Sequence, residues 1–66
     1  MLIEINGKEH ILGGVFTLKE LIEDKGFDTG KIVVEYNHEI IPAEKWPRIN
    51  IKDNDRIEIL SFVGGG

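Results

Sequence analysis

The sequence predicts an α+β domain, a mixed sheet with one main helix packed across one face. Three observations carry this. The chain opens on a hairpin pattern, continues into a single capped amphipathic segment, and finishes in short strand patterns, the last with Ile57 and Ile59 on one face. Its 66 residues make one domain, and a domain of that size buries about 60% of the surface its unfolded chain exposes.

Leu2-Ile3-Glu4-Ile5 begins a strand, and Asn6-Gly7 is the dipeptide best suited to the two positive φ angles of a type I′ turn. Glu9 to Leu12 is the returning strand. Gly13-Gly14 breaks the pattern, and Thr17 followed by Glu20 forms a capping box, so a helix starts at Leu18. Phe16 and Leu21 occupy the positions of a hydrophobic staple. Leu18, Leu21, Ile22 and the stem of Lys25 form the inward face, and Gly26 is placed to end the helix.

Ile32 to Tyr36 is β-branched and aromatic enough for a strand. Asn37-His38 reads as a turn, and Glu39 to Ile41 as a short strand stopped by Pro42. Pro42 to Trp46 reads as one helical turn closed by Pro47, with Trp46 as a core residue. Asp53-Asn54-Asp55 is a tight turn before a last strand from Arg56 to Val63. The first and last strands, both apolar, are expected to pair in the centre. Alternation sets Ile57, Ile59, Ser61 and Val63 on one face of the last strand and Arg56, Glu58, Leu60 and Phe62 on the other. Periodicity does not say which face is inward; the reading adopted places Leu60 and Phe62 outward, joined by Val33, as a partner surface.

Composition excludes several functions. There is no cysteine, hence no disulfide, thiolate metal site or cysteine nucleophile. With 8 Lys and Arg against 12 Asp and Glu, the formal net charge is −4, and no basic cluster exists to neutralise a row of phosphates, so nucleic acid is not an expected partner. The apolar runs are far shorter than the roughly 20 residues that span a bilayer, and no signal-peptide pattern opens the chain. The expectation is an unexported cytoplasmic protein without a membrane partner.

No P-loop, HExxH or GxSxG motif occurs, so no catalytic residue is assigned. His10 and His38 stand alone, and Asp53, Asp55 and Glu58 lack the rest of a calcium loop. No metal and no intrinsic cofactor are expected. The C-terminal Gly64-Gly65-Gly66 is different. Three successive glycines add no burial and would lose maximal entropy if ordered, so they do not serve the fold. A slim, side-chain-free end can instead thread a narrow channel and present its carboxylate to a partner's active site. The chain is accordingly divided into a domain at 1–63 and a flexible glycine tail at 64–66.

The run Ile32-Val33-Val34-Glu35-Tyr36-Asn37, then Ile40-Ile41-Pro42, Trp46, Asp53-Asn54-Asp55-Arg56-Ile57-Glu58-Ile59 and Phe62-Val63-Gly64-Gly65-Gly66 resembles the thiamine-pathway sulfur carriers, the ThiS-like proteins. Ile5-Asn6-Gly7 and Thr17-Leu18 agree as well, so the resemblance covers nearly the whole chain. Two positions depart from the family pattern: Ala43 stands where an arginine commonly follows the proline, and Asn54 where a glycine often separates the two aspartates. The first bears on a partner contact and the second on a turn type.

The resemblance implies the β-grasp, ubiquitin-like fold. It implies a carrier rather than an enzyme, in which a ThiF-like adenylyltransferase uses MgATP to adenylate Gly66. Sulfur supplied from cysteine through a desulfurase then gives a thiocarboxylate, and a ThiG-like thiazole synthase receives the sulfur. Gly64 and Gly65 would be the narrow approach to those active sites. Two alternatives stay open: a carrier like the small subunit of molybdopterin synthase (MoaD), which is usually longer, and a ubiquitin-like interaction module whose tail is never activated.

Overall fold

The computed structural model describes residues 1–14 and 16–62. Its first strand, β1 (Leu2–Ile5), turns at Asn6-Gly7 into β2 (Lys8–Ile11). Asn6 and Gly7 have φ of 50° and 81°, the paired positive values that let a two-residue loop follow the natural twist of the strands. The returning strand starts and ends one residue earlier than the sequence predicts, because this register sets Ile5 opposite Lys8 and Leu2 opposite Ile11. Leu12 follows the strand as a buried residue, its N–H bonded to Met1 O at 2.8 Å.

Helix α1 (Leu18–Asp24) begins at the predicted capping box. Thr17 Oγ1 accepts from Glu20 N at 3.1 Å, and Glu20 Oε1 accepts from Thr17 N at 2.8 Å. The C-terminus closes as a Schellman motif. Gly26 takes φ 78°, its N–H reaches Glu23 O, and the Phe27 N–H reaches back to Ile22 O. Leu18, Leu21 and Ile22 are completely buried, Phe16 and Phe27 pack against the same core, and Lys25 is exposed. The lysine stem therefore adds nothing to the inward face.

A short 3₁₀ turn, Thr29–Lys31, which the sequence reading does not predict, leads into β3 (Ile32–Tyr36). Asp28 caps it by accepting from Gly30 N at 3.1 Å. The Asn37-His38 turn returns the chain as β4 (Glu39–Ile40). Ile41 follows, buried, with its N–H on Val34 O. Pro47 does not close the next turn as expected; a 3₁₀ helix runs through it over Ala43–Arg48. The fixed φ of proline near −65° lies within the 3₁₀ range, so the ring continues that geometry where it would break an α-helix. Trp46 is buried and donates from Nε1 to Ile41 O at 2.9 Å.

The last strand, β5 (Arg56–Ser61), lies at the centre of a five-stranded sheet of order β2-β1-β5-β3-β4. It runs parallel to β1 and antiparallel to β3, the expected central pairing of first and last strands. It is shorter than the sequence reading gives: Phe62 follows the strand, and Val63 lies outside the described residues. The inner face, with Ile3 and Ile5 on β1, Ile57 and Ile59 on β5, and Ile32 and Val34 on β3, joins Leu18, Leu21 and Ile22 in one core. One helix across a mixed sheet with this strand order is the β-grasp arrangement.

Candidate functional site

Because side chains alternate along a strand, burying Ile57 and Ile59 turns Leu60 outward. Leu60 is 56% exposed and Phe62 51%. Val33, opposite Leu60 in the β3–β5 register, is half-buried. The three predicted surface residues thus lie together at the end of β5 from which the chain leaves the sheet. The glycines assigned to the tail, Gly64, Gly65 and Gly66, lie outside the described residues.

The register gives the rest of this open face. Next to the Val33–Leu60 row stands Glu35 opposite both Glu58 and Ile40, and Ile40 is 66% exposed. The following row holds Glu9, Glu4 and Arg56. Beyond it Leu2 faces Ile11, which is 86% exposed. The face is therefore apolar at both ends and charged between. Glu4 accepts an ion pair from Arg56 at 2.9 Å, a surface contact of small energetic weight, which leaves Glu9, Glu35 and Glu58 as a predominantly acidic middle. Besides Leu2 and Ile11, Ile40 is an exposed apolar member of this face that the sequence reading does not assign to a surface. Its position follows from the Asn37-His38 turn, which fixes Tyr36 opposite Glu39 and so Glu35 opposite Ile40.

The region that launches β5 is held by a buried carboxylate. Asp55 accepts from Tyr36 Oη, from Asn37 Nδ2 at 3.1 Å and from Lys52 N at 2.7 Å. Desolvation, followed by the hydrogen bond and charge of Asp55, pushes the Tyr36 hydroxyl up to about 12. In the same loop, Asn54 has φ 70°. Asparagine tolerates that left-handed conformation, so replacing a glycine there preserves the turn. Asp53 Oδ1 accepts from Leu2 N at 2.7 Å. Both carboxylates are engaged by hydrogen bonds within the fold, and among the described residues no three His, Asp or Glu side chains come together to hold a metal ion. His10 is half-buried in β2, and His38 is exposed in a turn.

A shallow depression of about 220 Å³ lies over Glu4 and Arg56, and another of about 330 Å³ lies between α1 and the 3₁₀ helix beside Trp46. Neither is lined by Leu60 or Phe62. Among the described residues no helix is long and apolar enough to cross a membrane.

The fold defines a small ubiquitin-like domain, with exposed apolar side chains beside the end of its central strand. The ThiS family model matches residues 2–66, the terminal glycines included. The sulfur carrier protein ThiS of Bacillus subtilis is 33% identical over 66 residues, covering 98% of this chain and all of that protein. A thiazole synthase of Paramagnetospirillum magneticum is 36% identical over 66 residues, which is the whole of this chain and 20% of that protein. The chain thus spans about a fifth of the thiazole synthase it matches. The crystal structure of the thiamine biosynthesis protein ThiS from Geobacter metallireducens superposes with a TM-score of 0.86 at 32% identity, covering both chains completely. The chain belongs to the ThiS family.

Proposed function

We propose that this protein is a sulfur carrier of thiamine biosynthesis that works through its C-terminal carboxylate in the cytoplasm. The observation that carries the reading is the family match through residue 66, which takes in Gly64-Gly65-Gly66. A glycine carboxylate is ionised at neutral pH, its reference pKa being about 3.3 to 3.7, and is inert to nucleophiles until one oxygen becomes a leaving group. A ThiF-like adenylyltransferase supplies that activation. A Gly66 oxygen attacks the α-phosphorus of MgATP, pyrophosphate departs, and an acyl-adenylate remains. A sulfur nucleophile, its sulfur drawn from cysteine by a desulfurase, then attacks the acyl carbon. AMP leaves, and a thiol then cleaves the acyl disulfide formed by the desulfurase's persulfide sulfur, becoming a disulfide itself and leaving a thiocarboxylate at Gly66.

The acceptor in this reading is a ThiG-like thiazole synthase, and proteins of that name carrying a segment similar to this whole chain support the choice. The carrier itself performs no catalysis; the partners' active sites do. Gly64 and Gly65 give the tail a width that a narrow channel admits, while Leu60, Phe62 and Val33 form the apolar docking surface beside it. The acidic row at Glu35 and Glu58 favours a partner with basic groups around its own apolar centre.

Intact mass after incubation with MgATP, an activating enzyme, a cysteine desulfurase and cysteine tests the reading. The full chain is expected to gain an adenylate or to exchange one oxygen for one sulfur, and a chain lacking Gly66 to do neither. An unchanged mass with several competent activating enzymes would leave a passive interaction module in its place.

A further inference from the structure

The β1–β5 ladder does not stop where β1 stops. In a parallel pair, evenly spaced N–H and C=O groups of one strand bond alternately to the other. Here the Glu4 N–H donates to Asp55 O and the Asn6 N–H to Ile57 O, each at 2.9 Å. The next rung would need an acceptor for the Ile59 N–H and a donor for the Ile59 C=O. The β1 backbone cannot supply them, because at Asn6-Gly7 it turns away with φ of 50° and 81°. The Asn6 side chain takes its place: Oδ1 accepts from Ile59 N at 2.7 Å, and Nδ2 donates to Ile59 O at 3.1 Å. Ile59 offers one donor and one acceptor, so its backbone also fixes which end of the amide is which.

This rung lies close to the exit of the chain. On the other side of β5, β3 pairs as far as Ile32 with Ser61, and the Phe62 N–H reaches Lys31 O at 3.0 Å. On the β1 side, pairing ends at Ile57, and Asn6 carries it on to Ile59.

We propose that Asn6 is a positioning residue for activation of the C-terminus. By holding Ile59 from the β1 side, it fixes the path of β5 through Ser61 to Phe62. It thereby fixes the point from which the tail is delivered to the activating enzyme once Leu60 and Phe62 have docked. The inference rests on the carrier function proposed above. Its energetic logic is alignment: a reacting group displaced by about 1 Å loses on the order of a hundredfold in rate without any loss of binding.

The test compares native protein with Asn6→Gly and Asn6→Asp at a temperature where all three are fully folded. Glycine keeps the positive φ and deletes both bonds. Aspartate tolerates the turn and still accepts from Ile59 N, but it sets a second oxygen against Ile59 O. Amide exchange at Ile59 is expected to accelerate in Asn6→Gly. In adenylation by the activating enzyme, kcat should fall roughly ten- to a hundredfold with KM unchanged, and Asn6→Asp should fall between. Leu60→Asp in the same assay should instead raise KM. Faster exchange at Ile59 with native kcat would reduce Asn6 to a structural role and overturn the proposal, as would unchanged exchange. A native chain that is never adenylated would overturn the carrier function itself, a result distinct from both.

Discussion

The Tyr36 hydroxyl donates to the buried carboxylate of Asp55, joining the end of β3 to the residue that launches β5. Two further donors, Asn37 Nδ2 and Lys52 N, meet the same carboxylate. The β3–β4 turn and the loop before β5 therefore close on one another around a single acceptor group.

A titration follows from that contact. Burial first, and then the hydrogen bond and charge of Asp55, push Tyr36 up to about 12, against a reference near 10. Between those values the unfolded chain has shed a proton that the folded chain keeps. The contribution to stability is thus complete below pH 10 and is lost as pH rises through about 12. Tyr36 is the one tyrosine of the sequence, so tyrosinate absorbance reports it without ambiguity. The folded midpoint is expected near 12, and Asp55→Asn should bring it part of the way back while desolvation holds it above the reference. A folded midpoint at the reference value would contradict the assignment.

At the other side of the core the capping box gives a stability prediction. Thr17→Ala removes the acceptor for the Glu20 N–H, and loss of such a cap costs about 1 kcal/mol. For a domain of this size that corresponds to a fall in Tm of roughly 4 to 8 °C. Thermal unfolding followed by circular dichroism would show it. A shift near zero would mean that the contacts of Leu18 N with Ile49 O and Ile51 N with Phe16 O hold the helix start unaided.

Local chemistry explains what was legible in the sequence. Asn6-Gly7, Thr17 with Glu20, and Gly26 each act within a few residues, and each forms the turn, cap or stop that its residue types predict. The passage of a 3₁₀ helix through Pro47 was not legible, because proline signals a stop to an α-helix yet fits the tighter form. Nor was the bonding of Asn6 to Ile59, a partner 53 residues away. Asp55 reads as a turn residue in the sequence; only the return of Tyr36 and Asn37 buries it. The two faces of β5 were legible as a pair, and the packing of α1 decided between them. The tail's assignment at Gly64 to Gly66 rests on composition and resemblance, and these glycines lie outside the described residues.

The two faces of β5 predict different outcomes, one for folding and one for docking. Ile57 is completely buried, and truncating such a side chain to alanine costs about 2 to 5 kcal/mol, enough to threaten a domain this small. Leu60, three residues on, is 56% exposed, and Leu60→Ala should change stability by no more than about 0.5 kcal/mol. The expectation is that Ile57→Ala loses cooperative unfolding in denaturant, while Leu60→Ala unfolds like the native chain but binds the activating enzyme more weakly by calorimetry. Equal binding by the Leu60 variant would remove this face from the docking surface.

The last prediction concerns Gly65. Among the described residues the hydrophobic core is assembled from side chains between Met1 and Ile59, and a glycine has no side chain to bury, so a substitution at Gly65 should leave unfolding unchanged. A channel that admits backbone alone has no room for a branched side chain, and a Cβ also narrows the φ and ψ values by which the chain can enter it. Gly65→Val is therefore expected to fold like the native chain and yet fail to gain an adenylate with MgATP and the activating enzyme. The fault should lie in delivery of the carboxylate rather than in docking, so the variant should still compete with native chain for the enzyme through Leu60 and Phe62. Normal adenylation of Gly65→Val would show that the approach to the active site is wide, and that the glycines are there for some reason other than their width.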